Sequence, residues 1–138
     1  MAEWWGPHDE AQLQDELLDD PRVESLTIEL AGEVIGLVEV CEEDEPQYRH
    51  AGLDITLRGD LLGRRLGRES LRVVIDHLVH ERGHHRLTID PAIANERAIR
   101  CYEAVGFRPV GVMRRHERAP DGTWRDSLLM DLLADELE

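Results

Sequence analysis

The sequence is poor in cysteine, in basic residues and in long apolar runs. Its two cysteines, Cys41 and Cys101, have no metal-ligand spacing between them. They cannot build a disulfide framework of several bridges, and they read as two buried thiols in a reducing cytosol. No segment approaches the roughly 20 consecutive apolar residues that span a bilayer, so no membrane association is expected. The start, Met1-Ala2-Glu3-Trp4-Trp5-Gly6, lacks the basic head and apolar middle of a secretory signal. The expected location is therefore cytoplasmic. Basic residues number 16 against 30 acidic ones, a formal net charge of −14. Such a chain repels nucleic acid unless a local basic patch overrides the field. The arginines at 64, 65, 68 and 72 have no interleaved aromatic residues on which bases could stack, so no nucleic-acid partner is expected. The acidity suits a cationic substrate, amines included, but it serves solubility equally well.

What is present is a single domain, residues 1–138, with 41% hydrophobic residues, enough to bury a core. Asp9 and Gln12 read as a capping box, followed by the stripe Leu13, Leu17 and Leu18, with Pro21 closing a short helix. Leu26, Ile28 and Leu30 alternate with polar residues in a half-buried strand. Ala31-Gly32-Glu33 turns the chain. Val34 to Val40 is nearly all apolar and is expected as a strand covered on both faces. Glu42 to Pro46 reads as a loop. Leu53, Ile55 and Leu57 alternate in a third strand.

Leu66, Ser70, Leu71, Val74 and Leu78 recur at helical spacing between Arg64 and Arg82, with Gly83 as the C-terminal cap. Leu87 and Ile89 mark another strand. Asn95 is placed to cap a helix whose inner face is Ala98, Ile99, Tyr102 and Val105, and Gly106 stops it. Two long strands follow, Phe107 to Glu117 and Trp124 to Leu133, joined by the hairpin signal Pro120-Asp121-Gly122-Thr123. The order is helix, three strands, helix, strand, helix, two strands, which is α/β with a mixed sheet.

Three groups of residues carry chemistry. The first is the start of the long helix, Leu62-Gly63-Arg64-Arg65-Leu66-Gly67-Arg68. A helix N-terminus offers unpaired N–H groups and partial positive charge, and its glycines let a phosphate approach the backbone. An ordinary turn with a solvated basic face would look the same. The second is Asn95 with Tyr102: a phenol on the inner helix face is either a core aromatic or a proton donor. The third is the pair Asp54 and Asp90. Asp54 faces away from Leu53 and Ile55, and Asp90 closes the next strand. Ligands of α/β folds collect at the carboxyl ends of strands, where a carboxylate can bind an ammonium and accept its proton. A turn or capping role is the plain alternative, strongest for Asp90 before Pro91.

The helix start and the segment Asp90-Pro91 through Phe107, with Asn95, Arg100-Cys101-Tyr102-Glu103 and Gly106, resemble the acetyl-CoA-binding half of the GNAT superfamily of N-acetyltransferases. Trp4-Trp5-Gly6 and Gly52-Leu53-Asp54 narrow the resemblance to the aminoglycoside 6′-N-acetyltransferases. It implies a mixed, mostly antiparallel sheet flanked by helices, here without the usual first strand and helix before Trp4. It implies acetyl-CoA as co-substrate, with its pyrophosphate on the loop at Leu62, Gly63, Arg64, Arg65, Leu66, Gly67 and Arg68. Leu57, Asn95, Ala98 and Tyr102 would line the rest of its path. Arg65 stands where the family's first glycine is usual, so its side chain must clamp the phosphates or leave their path. Tyr102 would protonate the leaving thiolate, and Asp54 and Asp90 would recognise or deprotonate a small-molecule amine. The acidic stretch Glu42 to Glu45 lies where that group contacts a polyamine.

Trp4 and Trp5 would leave large apolar area in water at a free terminus, at about 25 cal/mol per Å², and are expected to be buried, with a second subunit of a homodimer as one cover. His77-Leu78-Val79-His80-Glu81 does not follow the helical zinc-protease order, and no metal is expected. Cys101 is expected to be a small buried residue and not an acyl-carrying nucleophile. Beside the N-acetyltransferase stand a coenzyme-binding or partner-dependent module without turnover, and an enzyme that acetylates protein N-termini.

Overall fold

The computed structural model describes residues 23–30, 32–57 and 65–137. The first helix, the tryptophans at 4 and 5, and residues 58–64 lie outside them. The described elements are β1 (Val23–Leu30), β2 (Glu33–Glu43), β3 (His50–Leu57), α1 (Arg65–Asp76), β4 (Arg86–Ile89), α2 (Glu96–Ala104), β5 (Arg108–Arg118) and β6 (Trp124–Leu133). From the first strand onward, the mixed α/β order expected from the periodicities is the one observed. The strands form one sheet in the order β1-β2-β3-β4-β6-β5. All neighbours run antiparallel except β3 and β4, which are parallel. Among the described residues no helix is long and apolar enough to cross a membrane.

The core follows the patterning. Val38, Val40, Leu53 and Ile55 from the sheet are buried together with Leu71, Val74, Ile75 and Leu78 from α1 and its extension, and with Ala98 and Tyr102 from α2. On α1 the arginine at 72, Asp76 and His80 face solvent, as a 3.6-residue repeat requires. The helix continues past Asp76 as a widened turn, His77–Glu81. Its end is closed by Gly83 at φ +73, a left-handed conformation that suits glycine. Gly106, at φ +118, ends α2, and a Cβ there would come within 3.1 Å of Leu132 Cδ1.

Three expectations need correction. β2 is not covered on both faces: Val38 and Val40 are buried, whereas Leu37 and Glu39 are half-buried and Cys41 is exposed. A polar residue inside the apolar run marks a face that opens on a cleft. The expected acidic loop begins late, because Glu42 and Glu43 belong to β2, paired with Ala51 and His50 of β3. Nor are the cysteines two buried thiols, since Cys41 is exposed and Cys101 half-buried.

Candidate active site

The sheet splits where its one parallel pair parts. β3 and β4 share only the positions Ala51↔Leu87 and Gly52↔Thr88, yet β3 runs five residues further, to Leu57. Gly52 stands at the fork, where a Cβ would meet Thr88 Oγ1 at 3.4 Å. Beyond it lies a cleft of about 220 Å³ lined by Glu39, Cys41, Gly52, Asp54, Thr88 and Asp90, among others. Period-2 alternation delivers the carboxylates: Val38, Val40, Leu53 and Ile55 point into the core, so Glu39 and Asp54 point the other way. They are direct cross-strand partners, an arrangement of like charges that costs stability in a sheet.

Asp54 reaches water through the mouth of the cleft, but protein crowds its sides. Loss of solvation, then the charges of Glu39, Asp90 and Glu117, push its carboxyl up to about 7. Asp90 is also raised, chiefly by burial, while His116 pulls it back. Tyr102 is buried, 3% exposed. Desolvation, followed by the charges of Asp54, Cys101 and Asp90, raises its phenol well above the ordinary value. Its ring meets Phe107 edge-on, with centroids 6.3 Å apart. The phenol therefore stays protonated at neutral pH, as a proton donor must.

The segment after β4 is tied along β6. Ile93 N–H donates to Asp126 O and Leu128 N–H to Pro91 O, so Asp90 is fixed at the rim of the cleft. Asn95 Oδ1 accepts from Ala98 N–H at 3.2 Å, the helix cap expected of it. That leaves its NH2 as the group available to a ligand. The described part of α1 begins at Arg65. No acidic side chain lies in the first turn of that described part. Gly67 is buried and Arg68 exposed. Arg68 and Arg72 lie within electrostatic reach of Cys101, which brings the α1 start beside the middle of α2. Leu62, Gly63 and Arg64 lie outside the described residues, as do the side chains of Leu57, Arg65 and Leu66.

Three further residues act at the cleft: Glu39 lines it, and Glu117 and His116 act on its aspartates. Glu39 was hidden inside an apolar run. Glu117 and His116 belong to β5, where strand pairing jumps from Met113↔Ser127 to Glu117↔Arg125. That bulge inserts two extra residues opposite β6, and Arg115 adopts φ +49 within it. A non-glycine residue there costs about 1–3 kcal/mol. The Asp126 carboxylate, accepting from Arg115 N–H at 2.8 Å, offsets part of it.

Other residues fall away from the chemistry. Glu42 pairs with Arg82 at 2.6 Å and with the buried His84, so its carboxylate is not open to a substrate. His84 is 1% exposed, and its backbone N–H donates to Leu78 O at the end of the helix. His77 is paired with Glu81 and His80 with Asp76. Burial raises the Cys101 thiol, which lowers the thiolate fraction a nucleophile needs.

A profile of the acetyltransferase (GNAT) family matches residues 1–107. This chain belongs to the GNAT family of acetyltransferases. The acetyltransferase is 31% identical to the aminoglycoside N(6′)-acetyltransferase type 1 of Klebsiella pneumoniae, over 88% of this chain and 68% of that one. It is 35% identical to a kanamycin resistance protein of Rhizobium radiobacter, over 59% of this chain and 70% of the other. Among solved structures, a chimera of the Vibrio cholerae spermidine N-acetyltransferase with hSSAT superposes with a TM-score of 0.76 at 23% identity. That match covers 90% of this chain and 74% of the other, and it shows a shared fold.

Proposed function

We propose that this acetyltransferase moves an acetyl group from acetyl-CoA to a primary amine of a cationic small molecule, an aminoglycoside or another polyamine, by direct attack of the amine. The observation that carries the reading is the cleft: Glu39, Asp54 and Asp90 line it, Glu117 acts on both aspartates, and the protonated phenol of Tyr102 lies within electrostatic reach of both.

Acetyl-CoA, when bound, supplies an activated acyl carbon and a thiolate leaving group. Two features fit it. The β3 edge beyond Gly52 has no β4 partner among the described residues, so its backbone groups can pair with an amide-bearing arm as a strand would. The acid-free first turn of α1 suits a diphosphate. Asn95 and Ala98 at the start of α2, with Leu57 at the end of β3, would border the arm, and Leu62 to Arg68 would hold the phosphates.

The carboxylates attract a substrate that arrives as an ammonium. Asp54, raised to about 7, is matched to accepting its proton near neutral pH, because a base works best with a pKa near the working pH. Asp90 orients the ammonium from the rim. Tyr102 protonates the sulfur as it leaves. The resemblance to antibiotic- and polyamine-modifying relatives supports this acceptor class above a protein N-terminus. A screen of aminoglycosides, spermidine and small amines for free-thiol release from acetyl-CoA tests it. Turnover with polycations above simple monoamines is expected. Release with no amine, or only with peptide N-termini, would overturn it.

A further inference from the structure

His116 stands beside the cleft without a part in the reaction just described. The β5 bulge that carries it is anchored through Arg115 N–H on Asp126. On one side of the imidazole, Nδ1 is 3.2 Å from Oγ of Ser127, a fully buried hydroxyl. On the other, Nε2 is 4.0 Å from Asp90 Oδ2. The imidazole is 42% exposed, so one edge meets water while the other meets a carboxylate of the cleft.

We propose that His116 is a positioning residue that fixes the Asp90 carboxylate and carries the acceptor's proton from it to solvent. This rests on the amine-acetylation reading. The ammonium proton passes to a carboxylate of the Asp54–Asp90 pair, freeing the nitrogen lone pair for attack. Protonated Asp90 then hands that proton to neutral His116, regenerating the carboxylate and forming an imidazolium. The imidazolium releases the proton to bulk water. The 4.0 Å gap is bridged by one water or a small torsion.

The groups facing this imidazole come from every neighbouring element. Asp90 follows β4, and Asp54 lies on β3 with Glu39 across from it on β2. Glu117 and Arg115 flank it on β5, with Glu117 held by Arg125 of β6 at 2.8 Å. Ser127 and Asp126 belong to β6.

The test is the pH profile of kcat and kcat/KM for the best amine of the screen, in wild type, H116Q and H116A. In H116Q, kcat should fall about tenfold at neutral pH, a fraction of a general base's contribution, with KM for acetyl-CoA unchanged. The acid limb should move to higher pH, because the charge that holds the Asp90 carboxyl down is gone. Free imidazole should restore H116A. Thermal melts and carbon NMR titration of the Asp90 carboxyl complete the set: H116Q should melt like wild type, and its Asp90 should titrate higher. Turnover with an unmoved limb and no rescue would overturn the proton path alone. Wild-type protein that releases no thiol with any amine would overturn the functional reading and the path with it.

Discussion

Glu39 and Glu42 stand three residues apart on β2, and their surroundings are opposites. Glu42 is held by His84 and by Arg82, which also binds Glu24. The His84 hydrogen bond, opposed by desolvation and aided by the Arg82 charge, keeps the Glu42 carboxyl below its usual range. Arg49 extends the network by donating to the carbonyls of Gly83 and Arg82. Glu39 instead faces Asp54, whose carboxyl is driven up to about 7. One acidic cluster is neutralised and braces the end of α1 against β2, whereas the other sets Glu39, Asp54, Asp90 and Glu117 near one another, with His116 beside Asp90 and Arg125 on Glu117. Acidic residues of similar appearance in the sequence thus do different work. The first stabilises the fold, and the second sets like charges together at a cost in stability.

Changing Asp54 should have the largest effect. Asp54→Asn should lower kcat/KM for a cationic amine about 100-fold, the low end of a general base's contribution, while acetyl-CoA affinity by calorimetry stays the same. Flat amine kinetics would remove Asp54 from the chemistry. Next, Tyr102→Phe should reduce kcat by about tenfold to 100-fold with coenzyme affinity nearly intact. Unchanged turnover would leave Tyr102 as a core aromatic only.

On the braced side the effect is on stability. His84→Ala should cost about 2 kcal/mol in denaturant unfolding, the range for a buried hydrogen bond to a charged group, with kcat unaffected at temperatures well below the melt. Because the Glu42 carboxyl is lowered in the fold, its contribution is present above its ordinary value near 4.5. It fades as pH falls through the lowered one. The smallest effect has the opposite sign. Asp54 binds its proton more tightly in the fold than in the unfolded chain, so stability falls as pH rises from about 4 toward about 7. Asp54→Asn should therefore raise the melting temperature at pH 8 and lose that gain at pH 4. Equal melting at both would mean that the cleft does not strain the fold.

Most of the architecture was legible because it rests on local signals. The alternations at Leu53-Ile55 and Leu87-Ile89, the glycines at 83 and 106, the Asn95 cap and the Pro120–Thr123 hairpin each act within a few residues. The hairpin closes as expected, with Ala119 N–H donating to Thr123 O at 2.7 Å and Gly122 at φ +89. Asp54, Asp90 and Tyr102 were visible as candidates from facing and position.

What the sequence hid depends on long-range pairing. That Glu39 opposes Asp54 follows from the β2–β3 register. The His84–Glu42 contact joins residues 42 apart. The β5 bulge had no local marker, since Met113-Arg114-Arg115-His116 reads as plain strand. Only its pairing with β6 shows that two residues are extra and that His116 is turned toward Asp90.

The most direct measurement is the pH dependence of kcat/KM for the amine in wild type and Asp54→Asn. The account predicts an acid limb with an apparent pKa near 7 in wild type, shared among the coupled carboxylates, and loss of that limb in the variant. A wild-type limb at the ordinary carboxylate value near 4, or a limb identical in both proteins, would contradict it.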